Sequence, residues 1–252
     1  MKKETKNYSM NRIKITLMIC TLVLIGSSCK KGGVFCYQPN GEVVTQERSH
    51  TDFSKISLDM SADLYITQGE EYAVSVEASE NLMEIIETKV SGSTLKIDVK
   101  RGKCIKNNYE VKVHITLPSL NRLSISGSGD VFVTKKLTTN ELDLNISGSG
   151  SLSIDSLDVN RLETSISGSG DLFITAIDTV EIEKIDISGS GEIHTFNVPA
   201  KKVDIRVSGS GECEVYAIEE LDVDISGSGD VTYKGNPIID QRISGSGSIK
   251  PY

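Results

Sequence analysis

Ile125-Ser126-Gly127-Ser128-Gly129-Asp130-Val131 is a short unit that recurs along the chain and decides its fold. Its Ser-Gly-Ser-Gly core begins at Ser126, Ser147, Ser167, Ser188, Ser208, Ser226 and Ser244, in steps of 21, 20, 21, 20, 18 and 18 residues. Steps this long and this even mark a structural repeat, not a linker or a low-complexity tract. Before each copy stands a β-branched residue: Ile125, Ile146, Ile166, Ile187, Val207, Ile225 or Ile243. Two residues earlier the position is mostly apolar, and a polar residue lies between. After the last glycine the alternation resumes at Val131, Leu152, Leu172, Ile193, Cys213, Val231 and Ile249. Alternation of this kind is the mark of strands with one face buried.

Each tetrapeptide therefore joins two strands, either as a hairpin turn or as a corner. The repeat length favours the corner. About 20 residues at roughly 3.3 Å each give a contour of about 66 Å, enough for one rung of a solenoid. The reading is an all-β, parallel β-solenoid of about 20-residue rungs, with equivalent residues stacked into apolar columns. Gly127 and Gly129, with their equivalents, are expected to supply the φ > 0 conformations of a sharp corner.

Residues 1–28 read as a signal peptide. Arg12 and Lys14 precede the apolar run Ile15–Ile25, and Gly26-Ser27-Ser28 leads into Cys29. The run is short for a membrane span. A small-residue site ending in cysteine resembles a bacterial lipobox, which implies lipidation of Cys29 and attachment to the membrane through that anchor; translation starts at Met1 or Met10. Residues 29–46 read as a flexible tether and 47–252 as a single solenoid domain, with 47–117 a divergent first part and 118–252 the regular repeats. Within 47–117, Ile56, Leu58, Leu64 and Ile66 keep the rung alternation with Ser61-Ala62 in place of the glycines. Asn81–Glu87 is the one helical candidate, its Leu82, Ile85 and Ile86 placed to cover an end of the core. In an exported chain Cys36 and Cys104 either pair as a disulfide or stay free. Cys213 falls on an inward position.

The formal net charge is −8, with no basic patch, which speaks against a nucleic-acid partner. Tryptophan is absent and aromatics make up 5% of the chain, a poor endowment for a large ligand pocket. Five of the seven residues that follow the last glycine are acids: Asp130, Asp171, Glu192, Glu212 and Asp230. Stacked about 4.8 Å apart, they form either a hydrated, screened column or one that takes up divalent cations such as Ca2+. No other cofactor is indicated. His50, His114 and His194 are dispersed in the sequence, the serines lack a paired base, and no residue pattern requires an enzyme. Phe132 and Phe173 share one outward rung position, two copies apart, as a candidate binding patch.

Asp52-Phe53-Ser54-Lys55-Ile56, Tyr65-Ile66-Thr67-Gln68-Gly69, Leu95-Lys96-Ile97 and the serial Ile-Ser-Gly-Ser-Gly rungs together resemble the autotransporter adhesin head GIN domain family of Bacteroidetes lipoproteins. The resemblance covers roughly 47–252. It implies a right-handed β-helix-like fold and an outer-membrane lipoprotein of the cell envelope, surface-exposed or periplasm-facing. The segment after Ser244 is not patterned as a membrane barrel, and Lys30-Lys31-Gly32-Gly33 lacks the acidic residues of Bacteroidetes surface-export tags. Three functions stay open: a non-enzymatic, adhesin-like solenoid that binds a glycan or protein, a carbohydrate-active β-helix enzyme, and a periplasm-facing structural protein.

The inward and outward assignments make a direct prediction. Ile166→Asp places a charge in the core and should abolish cooperative unfolding, whereas Asp171→Ala should leave the melting temperature unchanged or raise it. A wild-type melt for Ile166→Asp would reverse the assignment.

Overall fold

The computed structural model describes residues 36–106 and 109–252, and these form strands almost throughout. The alternation seen in the sequence becomes parallel stacking in register. Ile125 lies opposite Ile146, and Ile166, Ile187, Val207, Ile225 and Ile243 continue the column. All are buried except Ile243, which has no described strand beyond it and is 42% exposed. A second column runs through Val131, Leu152, Leu172, Ile193, Cys213 and Val231, all fully buried.

A third inward run completes each rung. The long strand Leu152–Ile166 shows it in one piece, burying Leu152 and Ile154, then Leu157 and Val159, then Leu162, Thr164 and Ile166. Its first part pairs with Leu172–Ile174, its middle with Leu137–Thr139, and its last part with Ile182–Ile187. The result is a parallel β-solenoid whose interior is one continuous apolar cluster from Phe53 to Val231. At about 25 cal/mol per Å² of apolar surface removed from water, these columns are the main stabilising term.

The corner glycines have a different physical reason from the one expected. Among the fourteen glycines of the seven copies, only Gly227 and Gly245 have positive φ. What excludes a side chain is the neighbouring rung. A Cβ on Gly148 would lie 1.8 Å from the carbonyl oxygen of Gly127, and one on Gly150 would lie 2.1 Å from that of Gly129. The corners stack backbone on backbone, and the Ser149 and Ser169 N–H groups donate to the Gly127 and Gly148 carbonyls at 3.3 and 3.1 Å.

Below the first tetrapeptide lies a rung without glycines. Lys55–Leu58 and Asp63–Gln68 pair in parallel with Arg122–Ile125 and Val131–Val133, so Met60-Ser61-Ala62 occupies the corner beneath Gly127 and Gly129. Thr94–Val99 and Val111–Leu117 form one further parallel layer. The rest of 47–117 departs from the expected solenoid pattern. Ala73–Ser79 runs antiparallel to Val111–Leu117, and Ile86–Ser91 forms a hairpin with Thr94–Val99 through Gly92. Antiparallel edges suit an end of the stack, because they return the chain by short turns instead of continuing the rung. The helical candidate is a single 3₁₀ turn, Glu80–Leu82, beside which Leu82, Met83, Ile85 and Ile86 are buried.

The tether reading fails over its described part. Val43–Glu47 pairs antiparallel with Ser75–Ser79, and Cys36–Tyr37 pairs with Cys104–Ile105. Cys36 and Cys104 are joined by a disulfide, with their Cα atoms 4.5 Å apart. Backbone hydrogen bonding and this link give the segment fixed partners that its irregular composition did not advertise.

Three buried positions break the apolar pattern, Thr164, Thr195 and Glu183, and Glu183 is the ionisable one among them. Glu183 takes the place of Leu162 and Val203 in their column and is fully buried; both its carboxyl oxygens lack a hydrogen-bond partner among the described residues. Burial raises its pKa to about 8. The folded protein therefore holds this group protonated where the unfolded chain ionises it.

Two stability predictions result. Gly148→Ala should cost about 3 kcal/mol by forcing adjacent corners apart, read as a fall in the denaturant midpoint. For Glu183 the folded pKa exceeds the unfolded one, so its contribution is complete below about pH 4.5 and is lost as pH rises to about 8. Glu183→Leu should raise stability by about 3 kcal/mol at pH 7 and flatten that part of the pH profile. A variant less stable than wild type at pH 7 would show that the carboxyl has a partner.

Candidate functional site

Parallel register acts on the outer surface as it does on the core. The residue after the second inward column faces outward, and its neighbours in adjacent rungs stack beside it. Along this line the pairings run His114, Tyr65, Phe132, Ser153, Phe173, His194, Glu214, Thr232 and Lys250. Five consecutive positions thus hold four rings and one serine beyond the first histidine.

The rings form two stacks. Tyr65 lies between His114 and Phe132, with centroids 4.9 and 5.4 Å apart and interplanar angles of 14° and 20°. Phe173 and His194 stack at 4.7 Å and 8°. These separations follow from the spacing of neighbouring strands, so the backbone fixes the stacking distance. Between the two stacks Ser153 contributes only a hydroxyl, which donates to Asp155 Oδ1 at 3.3 Å. Phe132 and Phe173 are exposed, at 37% and 45%.

His194 is held further. Its Nδ1 lies 2.8 Å from Glu214 Oε2 and its Nε2 3.3 Å from Glu192 Oε2, one carboxylate from the next rung and one from its own. This fixes the ring plane against Phe173. It makes no nucleophile or enclosed cavity, and two open depressions of the described surface, of 390 and 250 Å³, lie elsewhere.

Phe132 and Phe173 do share a rung position, but they do not touch, because Ser153 stands between them. The patch is larger than those two residues: Tyr65, His114 and His194 belong to it. A triplet of acid, apolar residue and aromatic ring signals most of it: Asp63-Leu64-Tyr65, Asp130-Val131-Phe132, Asp171-Leu172-Phe173 and Glu192-Ile193-His194. His114 joins only through strand pairing.

The acids Asp130, Asp171, Glu192, Glu212 and Asp230 fall in one line, with Asp171 opposite Glu192, then Glu212, then Asp230. Several are satisfied by neighbouring rungs. Asp130 Oδ1 accepts the Ser151 N–H at 3.1 Å, and Asp230 Oδ1 accepts both the N–H and the hydroxyl of Ser248 at 2.8 and 2.7 Å. Asp63 extends the line downward, accepting the Asp130 N–H at 3.3 Å. Among the described residues no three His, Cys, Asp or Glu side chains gather closely enough to hold a metal ion.

A separate aromatic group, Phe196 and Tyr252 with centroids 4.9 Å apart, already carries Lys234 Nζ at 4.3 and 4.7 Å from its rings. Cys213 is buried and free, its thiol pushed up by burial and by nearby Glu183. Cys29 lies outside the described residues. No described helix is long and apolar enough to cross a membrane.

Residues 52–237 match the model of the family described as "Putative auto-transporter adhesin, head GIN domain". Among solved structures, a "putative adhesin" from Bacteroides fragilis is similar, with 30% identity, a TM-score of 0.81, and coverage of 86% of this chain and 100% of its own. A "putative lipid binding protein" from Parabacteroides distasonis is 31% identical, with a TM-score of 0.70 over 86% of this chain and 100% of its own. A "putative adhesin" from Parabacteroides merdae shares the fold at 23% identity, with a TM-score of 0.67 over 86% and 99%. No curated protein matches.

Proposed function

The chain belongs to the auto-transporter adhesin head GIN domain family, and from that premise we propose that it is a non-catalytic, lipid-anchored protein of the outer membrane that binds an external ligand through its aromatic face. The observation that carries this reading is the ladder of His114, Tyr65 and Phe132 with Phe173 and His194, held at fixed spacing and open to solvent. Exposed rings in a contiguous line are costly to leave in water and mark a place where another molecule is received. A rigid solenoid suits recognition, since its side chains lose little freedom when the ligand arrives.

Export is supported by the disulfide between Cys36 and Cys104, which belongs in an oxidising compartment. Anchoring is supported by the small-residue run ending in Cys29. An enzyme built on the acidic line has less support, because Asp130 and Asp230 are engaged with the neighbouring rung.

Three experiments test the reading. Cys29→Ser should release the protein from the membrane fraction, and protease shaving of intact cells should remove the solenoid while a periplasmic control survives. A Phe132→Ala/Phe173→Ala double variant, exposed at both positions and so unchanged in melting temperature, should lose capture on an immobilised glycan and extracellular-matrix panel. Full protection in intact cells, or capture equal to wild type, would overturn the proposal.

A further inference from the structure

The interruption of the ladder at Ser153 is itself a site. Neighbouring strands are about 4.8 Å apart, so Phe132 and Phe173, which flank Ser153 by direct register, stand roughly 9.6 Å apart. Each ring is backed on its far side by another, Phe132 by Tyr65 at 5.4 Å and Phe173 by His194 at 4.7 Å. The space is that of one missing member of the stack. Its floor is the Ser153 hydroxyl, bonded to Asp155.

The rim is rich in acceptors. On one flank Ser151 lies between Asp130 and Asp171, one position before the three residues in register Val131, Leu152 and Leu172; on the other stands exposed Asp155. A group entering the slot therefore meets two apolar ring faces above and below and carboxylates and hydroxyls around its edge. A flat aromatic side chain would satisfy the faces and leave the rim unused. A saturated six-membered sugar ring satisfies both, since its C–H faces lie against the rings and its equatorial hydroxyls point outward as donors. The negative rim disfavours an anionic sugar.

We infer that the slot between Phe132 and Phe173 over Ser153 receives a single neutral pyranose unit of a glycan. This rests on the aromatic face being the binding face and specifies its ligand. The serine is a specificity determinant by its smallness: a large side chain there would close the ladder.

The test uses the full chain with Cys29→Ser, which keeps it free of the anchor, carrying 4-fluorophenylalanine, followed by 19F NMR with methyl β-D-glucopyranoside and methyl β-D-galactopyranoside at millimolar concentrations. Methyl β-D-glucuronide and N-acetyl-tyrosine amide serve as contrasts. The Phe132 and Phe173 resonances should shift with at least one neutral glycoside, and the buried Phe53 and lysine-covered Phe196 should not. Ser153→Phe, which completes a cross-strand ring ladder and so preserves folding, should weaken the response at least about tenfold; Ser153→Ala should retain most of it. Unchanged shifts in Ser153→Phe, a preference for the glucuronide or the tyrosine amide, or no shift with either neutral glycoside would overturn the slot assignment. Immobilised-glycan capture separates the two levels. If Ser153→Phe still captures a glycan that Phe132→Ala/Phe173→Ala loses, the aromatic face binds but the slot does not. If the wild type captures none, the aromatic-face reading itself falls.

Discussion

The structure depends on the contact between glycine backbones at successive corners. A peptide backbone can stack on another at strand spacing only where no Cβ intervenes, and at Gly148 and Gly150 the carbonyls of the rung below occupy the place a Cβ would take. That contact removes any choice of register. A slip of one residue would drive a serine side chain into the neighbouring carbonyl and turn Ile146 or Ile166 outward. The apolar columns supply most of the free energy of folding, but the corners decide which residues enter them.

A register fixed inside is fixed outside as well. Charged side chains meet across rungs at Arg122 and Asp143, Lys201 and Glu181, and Lys202 and Glu220, each pair exposed and individually worth little. Rings meet in the same way at Tyr65 and Phe132 and at Phe173 and His194. Nothing in these side chains' own chemistry would hold them so nearly parallel on a solvated surface. The sheet beneath them does it, and an array that would otherwise have to order on ligand binding is already ordered.

Much of this was legible in the chain itself, for a physical reason: strand alternation and a repeated corner are local patterns, and a parallel stack multiplies them. The inward columns and the substitution of Ser61-Ala62 for a glycine corner could both be read directly. The antiparallel end of the stack could not, because Val43–Glu47 and Ala73–Ser79 find their partners through long-range pairing that leaves no period in the sequence. The purpose of the glycines was misread for a similar reason: a demand for positive φ and a demand for close approach select the same residue, and only the neighbouring rung tells them apart. Phe132 and Phe173 stood out as two aromatics at one rung position, but their continuity with His114 appears only when strand pairing brings it beside Tyr65. Glu183 lies two residues before inward Ile185, so the alternation already puts it inward, and its partners Leu162 and Val203 show that a carboxyl there is the exception.

The non-glycine rung beneath the first tetrapeptide also bears on how the chain assembles. Lys55 pairs with Arg122 across 67 residues of sequence, whereas Arg122 pairs with Asp143 across only 21. Closing the first gap costs only about 1 kcal/mol more in loop entropy than closing a later one, and each later rung closes on a surface already formed. The antiparallel end and its adjoining rung offer such a surface for the first regular repeat, and each repeat offers the same to the next. Lengthening such a molecule by a whole rung would ask only for one more short closure.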